Sequence, residues 1–161
     1  MKVVERSAIV PYSPAQMFLL VNDVARYPEF LPWCSGANVE DVSATERIAT
    51  VRVSKGLLKT EFTTRNALRA DAEILMRLVS GPFRQLRGQW LFEPIDGGSA
   101  PAAVDEPRAA PRPTARGSRV AFRMEYEFKN PLVAAALNAI FEAVCGTIVD
   151  AFAERARKIF S

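Results

Sequence analysis

The sequence predicts an α+β fold in which a curved antiparallel sheet wraps a long C-terminal helix around an apolar cavity. Three observations carry that prediction. Strand-like segments separated by short breaks follow one another from about residue 36 to 95, the pattern of an antiparallel meander. Residues 120 to 128 set Val120, Phe122, Met124, Tyr126 and Phe128 against Ala121, Arg123, Glu125 and Glu127, a half-buried strand with one greasy and one charged face. After Asn130-Pro131 no proline recurs through residue 159, and Leu137, Phe141, Val144, Ile148 and Phe152 return every three or four residues, as on a helix lying against a sheet.

The elements follow in chain order. Residues 3 to 10 are β-branched and alternating, and Pro11 ends the strand because it has no N–H to donate. Ser13-Pro14-Ala15-Gln16 is a helix start: Ser13 caps, Pro14 suits the first helical position and Gln16 reaches back in a capping box. Met17, Phe18, Leu20, Val21 and Val24 give that short helix its apolar residues. In Tyr27-Pro28-Glu29-Phe30-Leu31-Pro32-Trp33-Cys34 two prolines stop a regular helix while the large side chains still demand burial, so a kinked, packed connector is expected. Strands are predicted over 37–44, 46–54, 58–68, 73–79 and 85–93, broken at Lys55-Gly56 and Gly81-Pro82. Residues 97–117, rich in proline, alanine and glycine without apolar periodicity, read as a flexible loop inserted between two strands.

Composition bounds the function. The 161 residues suit one domain with one sizeable core, spanning 1–161, and 49% apolar with 24% charged residues describes a globule. No apolar run approaches membrane-spanning length and the first residues lead into a strand, which points to a cytoplasmic protein. With no histidine and only Cys34 and Cys145, far apart, neither a zinc site nor a disulfide framework is suggested. Histidine-based triads are excluded outright. Glu61, Glu73, Glu125 and Glu127 fall on polar strand faces and form no evident acid–base pair, and the glycines carry no phosphate-binding fingerprint, so no catalytic residue and no required cofactor is expected. The basic and aromatic residues from Phe83 to Trp90 alternate as a strand with its aromatics turned inward, and no DNA partner is expected. What remains is a surplus of large apolar side chains on the inner sheet face, among them Phe62, Trp90, Phe92, Phe122, Met124, Tyr126 and Phe128. A sheet gripping one helix leaves room for an apolar ligand.

The element order resembles the START-like helix-grip fold of the polyketide cyclase/dehydrase superfamily. The runs Tyr27 to Cys34, Gly81-Pro82-Phe83-Arg84-Gln85-Leu86-Arg87-Gly88-Gln89-Trp90 and Phe128-Lys129-Asn130-Pro131-Leu132 resemble its coenzyme Q-binding branch, which also holds the bacterial ribosome association toxins. The resemblance implies non-enzymatic binding of a hydrophobic molecule, with ubiquinone first, in support of respiratory electron transport. The tail would touch Trp90, Phe122, Met124, Phe128, Phe141 and Val144, with Phe30 and Trp33 at the mouth and Phe83 and Leu132 gating it. A second implication is inhibition of ribosomal subunit association through the large subunit, with Arg84 and Arg87 on phosphates. A cyclase-like enzyme is a weaker third. Transient contact with the inner membrane is also compatible with a lipid-like ligand.

Overall fold

The computed structural model describes residues 1–95 and 117–160. In chain order the elements are β1 (Lys2–Val10), α1 (Pro14–Asn22), a 3₁₀ turn (Val24–Glu29), β2 (Cys34–Ser43), β3 (Glu46–Lys55), β4 (Leu58–Arg69), β5 (Glu73–Ser80), β6 (Phe83–Ile95), β7 (Gly117–Phe128) and α2 (Pro131–Phe160). The strands form one antiparallel sheet in the order β1-β7-β6-β5-β4-β3-β2. β2 to β7 is therefore a meander, and β1 completes it by pairing with the last strand. Because β1 and β2 lie on opposite edges, the chain between them must cross the whole sheet. It does so through α1 and the 3₁₀ turn, which join α2 in covering the concave face.

The local signals explain these joints. Gln16 N–H donates to Ser13 Oγ at 3.1 Å and Ser13 N–H donates to Gln16 Oε1 at 2.9 Å, the reciprocal capping box that launches α1. Pro28 sits inside the 3₁₀ turn, and Tyr27, Leu31, Trp33 and Cys34 are buried, so the connector is kinked and packed as expected. Tyr27 Oη donates to the Val21 carbonyl and ties the turn to the end of α1. Gly81 holds φ at +146°, and a Cβ there would lie 2.7 Å from that of Phe62, so the β5–β6 turn needs glycine for both backbone and space.

Three expectations need adjustment. The loop expected over 97–117 ends earlier: Gly117 already belongs to β7, and the rest of that segment lies outside the described residues. Ile95 pairs with Gly117 and Val10 with Ser118, while Ser118 Oγ donates to the Tyr12 carbonyl at 2.8 Å; pairing on both sides recruits residues that have no apolar pattern of their own. β6 runs from Phe83 to Ile95, beyond the expected 85–93, because β7 pairs with it from Phe83 to Ile95. The expectation of no membrane-length apolar segment also changes. An 18-residue window of α2 has a mean hydropathy of 2.0, because isolated polar residues interrupt its apolar runs without lowering the average. Here α2 turns Phe141, Val144, Cys145, Ile148, Val149 and Phe152 into the sheet.

Candidate functional site

Between the concave face and α2 lies a narrow apolar cavity. Trp33, Phe62, Trp90, Phe122, Met124, Phe141 and Val144 line it. Strand alternation brings the sheet residues there, and the i, i+3 spacing of Phe141 and Val144 brings the helix. The space a water-sized sphere can enter is about 70 Å³. That is less than the roughly 150 Å³ that accepts a benzene ring, so admitting an isoprenoid tail requires α2 and the sheet to part.

The other candidate positions lie elsewhere. Phe83 is fully buried in an aromatic plug, stacked on Phe128 at 4.7 Å between centroids and tilted against Phe141 at 5.2 Å. Phe62 reaches it edge-on at 5.7 Å, so Phe83 and Phe128 close one end of the cavity as packed core. Leu132 is 81% exposed on the first turn of α2 and does not form a gate with Phe83. Phe30 lines a separate surface groove with Leu19, Arg26 and Ile159, its ring beneath the Arg155 guanidinium at 4.8 Å. Arg155 is itself held by Glu29 at 2.8 Å.

Among the lining residues that were not anticipated, two polar ones stand out. Thr64 and Asn66 are buried polar residues in the wall, and the Thr64 hydroxyl donates to Asn66 Oδ1 at 2.7 Å. The signal was present: Phe62, Thr64 and Asn66 share one strand face by the period of two. The Asn66 amide N–H₂ donates to no other group among the described residues, leaving a donor at the wall of an otherwise greasy space. Cys145 also lines the cavity, with a thiol that burial pushes up to about 12. Burial raises the Cys34 thiol as well, and it donates to the Gly36 carbonyl at 3.3 Å. The Cys145 thiol, the Thr64 hydroxyl and the Asn66 amide equip this cavity to hold and orient a molecule.

The convex face carries a different feature. Arg77, Arg84, Gln85, Arg87 and Glu125 border a hollow across β5 and β6. Arg77 stands directly opposite Arg87 in the strand register. Glu125 is engaged by Arg123 at 2.7 Å and Arg84 faces Glu127 at 4.0 Å, while Arg77 and Arg87 make no ion pair among the described residues. Like charges directly opposite on neighbouring strands repel, and an anion between them turns that repulsion into binding.

Comparison with known proteins agrees with this architecture. The family of polyketide cyclases, dehydrases and lipid transport proteins matches residues 10–153. The ribosome association toxin RatA of Vibrio cholerae is 41% identical over 160 residues, covering 99% of both chains. RatA of Escherichia coli K12 is 37% identical over 161 residues, covering 100% of this chain and 90% of its own. The mitochondrial coenzyme Q-binding protein COQ10 of Drosophila melanogaster is more distant, 23% identical over 95% of this chain and 57% of its own. Among solved structures, an 18 kDa protein of Caulobacter crescentus superposes with a TM-score of 0.70 at 30% identity over 99% of each chain. The Zhui aromatase/cyclase of Streptomyces superposes at 0.79 with 14% identity over 99% of this chain and 96% of its own, a likeness of fold. The helix-grip resemblance read from the sequence is therefore borne out.

Proposed function

The chain belongs to the polyketide cyclase/dehydrase and lipid transport family and groups within it with the ribosome association toxins, and from that premise we propose that it acts by associating with the ribosome. The observation that carries the proposal is identity of 37–41% along essentially the whole length of proteins bearing that name. The unneutralised Arg77–Arg87 pair supplies a matching chemistry, since facing guanidiniums on an exposed sheet suit the phosphates of ribosomal RNA. The target is the large subunit, the work is done in the cytoplasm, and the mode is occlusion of subunit joining, not catalysis. Co-sedimentation of the purified chain with separated subunits at rising salt tests this. Binding should fall steeply with salt, and the charge-reversed R77E/R87E variant should bind weakly and with a shallower salt slope, by about one for each phosphate it no longer engages. Absent sedimentation, or sedimentation indifferent to salt, would count against the reading.

A second reading rests on the cavity. Its apolar lining and the spare Asn66 donor suit a small hydrophobic molecule carrying a hydrogen-bond acceptor, such as a quinone or related lipid. Organic extraction and native mass spectrometry of the purified protein should recover such a molecule at near-equal stoichiometry, and Trp90→Glu should abolish its retention. Protein that is empty, and whose melting temperature ignores added quinone analogues, would leave ribosome association standing alone.

A further inference from the structure

The chain contains five lysines, at positions 2, 55, 59, 129 and 158, and four of them lie at one end of the sheet. Lys2 pairs with Tyr126 near the end of β7, Lys129 follows that strand, and Lys55 and Lys59 flank the β3–β4 turn. Antiparallel order puts that turn, the β5–β6 turn and the β7–α2 connection at the same end, and Lys129 N–H donates to the Pro82 carbonyl at 2.9 Å across two of them. None of these four ammonium groups makes an ion pair among the described residues. The strand carboxylates two residues from Lys59 and Lys129, Glu61 and Glu127, are taken by arginines, Arg52 at 3.0 Å and Arg84 at 4.0 Å.

The same end carries the two most exposed large apolar side chains among the described residues. Leu57, between Lys55 and Lys59, is 79% exposed, and Leu132, three residues after Lys129, is 81% exposed. The helix behind Leu132 adds to them: the 18-residue window of α2 with mean hydropathy 2.0 is only 22% buried, and Ala135, Ala136 and Ala139 face outward. The β3–β4 turn sits close to this helix, since a Cβ on Gly56 would lie 3.7 Å from Ile140 Cδ1. Unpaired lysines on flexible stems around exposed leucines form the combination that an anionic bilayer rewards: apolar tips enter the headgroup boundary while the ammonium groups stay at the phosphates. A purely nucleic-acid surface has no use for the leucines.

We propose that this end of the molecule, built from the β3–β4 turn and the first turns of α2, docks on an anionic membrane surface. It adjoins the Arg77–Arg87 hollow on the convex face, Met1 and Arg84 bordering both, but its lysines and leucines are distinct from the Arg77–Arg87 pair, so membrane docking and ribosome association employ different side chains.

The test is flotation of the full chain with vesicles of phosphatidylethanolamine and phosphatidylglycerol, with phosphatidylcholine vesicles for comparison. The wild type should float with the anionic vesicles and stay below with the neutral ones. L57D/L132D, altered only where the side chains are about four-fifths exposed, should keep the wild-type melting temperature and bind about ten-fold or more weakly. Lys55→Ala and Lys59→Ala should each weaken binding by about five-fold at low salt. R77E/R87E should float like the wild type. Flotation unchanged by L57D/L132D, or absent altogether, would overturn the proposal. So would lysine variants that fail to sediment with ribosomes while the leucine variant still does and neither vesicle binds, since the lysines would then be contacts to ribosomal RNA.

Discussion

At the scale of single residues, the wall of the cavity separates what alternation reveals from what it hides. A period of two tells which face of a strand a side chain takes, and so Phe62, Trp90, Phe122 and Met124 share the wall of one cavity. It says nothing of depth along the strand. Phe83 and Phe128 share that inner face but end in the aromatic plug, at one end of the sheet, where their rings fill the space against Phe141. A surplus of large apolar side chains on the inner face says nothing of Thr64 and Asn66, although Phe62 fixes their facing. Their hydrogen bond makes a clear prediction. Thr64→Val keeps the shape but leaves the buried Asn66 carbonyl without its 2.7 Å donor, and should lower unfolding free energy by about 1–3 kcal/mol in a urea titration. Thr64→Ser restores the donor and should recover most of that loss; equal damage from both would show that the methyl group, not the hydroxyl, matters here.

At the scale of elements, signals that are chemical proved more legible than signals that are statistical. The Ser13–Gln16 capping box, the Pro28 interruption and the Gly81 turn each follow from the covalent properties of one residue, and each stands where it was read. The edges of β6 and β7 were drawn short, because their outer residues are strands only by virtue of partners far away in sequence. α1 makes the difference testable. It has nine residues, below the length at which an isolated helix holds, so it depends on its cap and on burial of Met17, Leu20 and Val21. Ser13→Ala removes the side-chain acceptor for Gln16 N–H and should cost about 1 kcal/mol, a fall of roughly 2–4 °C in Tm. Ser13→Asp should lose much less, because a carboxylate also caps.

At the scale of the whole molecule, the core hides protons that the unfolded chain would release in alkali. Cys145 is 3% exposed, and burial lifts its thiol from an ordinary value of 9.0 to about 12, the neighbouring Arg6 opposing this more weakly. The phenol of Tyr27, buried and donating to the Val21 carbonyl, is raised beyond the usual tyrosine range by the same burial. A group whose folded-state value is raised keeps its proton in the folded chain at pH values where the unfolded chain has lost it. Its contribution is complete below pH 9 and is lost as pH climbs toward 12, so stability must decline across that window. For Cys145 alone the decline amounts to about 4 kcal/mol at its upper end, since each pH unit of displacement is worth about 1.4 kcal/mol. Urea midpoints measured between pH 7 and 11 should therefore fall increasingly steeply above 9. Cys145→Ala gives up some packing at every pH but has no thiol to ionise, so its midpoint should fall less steeply over the same interval and approach the wild-type value from below. Parallel curves for the two proteins would mean that the thiol titrates equally in both states, and that the space between α2 and the sheet is open to water when no ligand fills it.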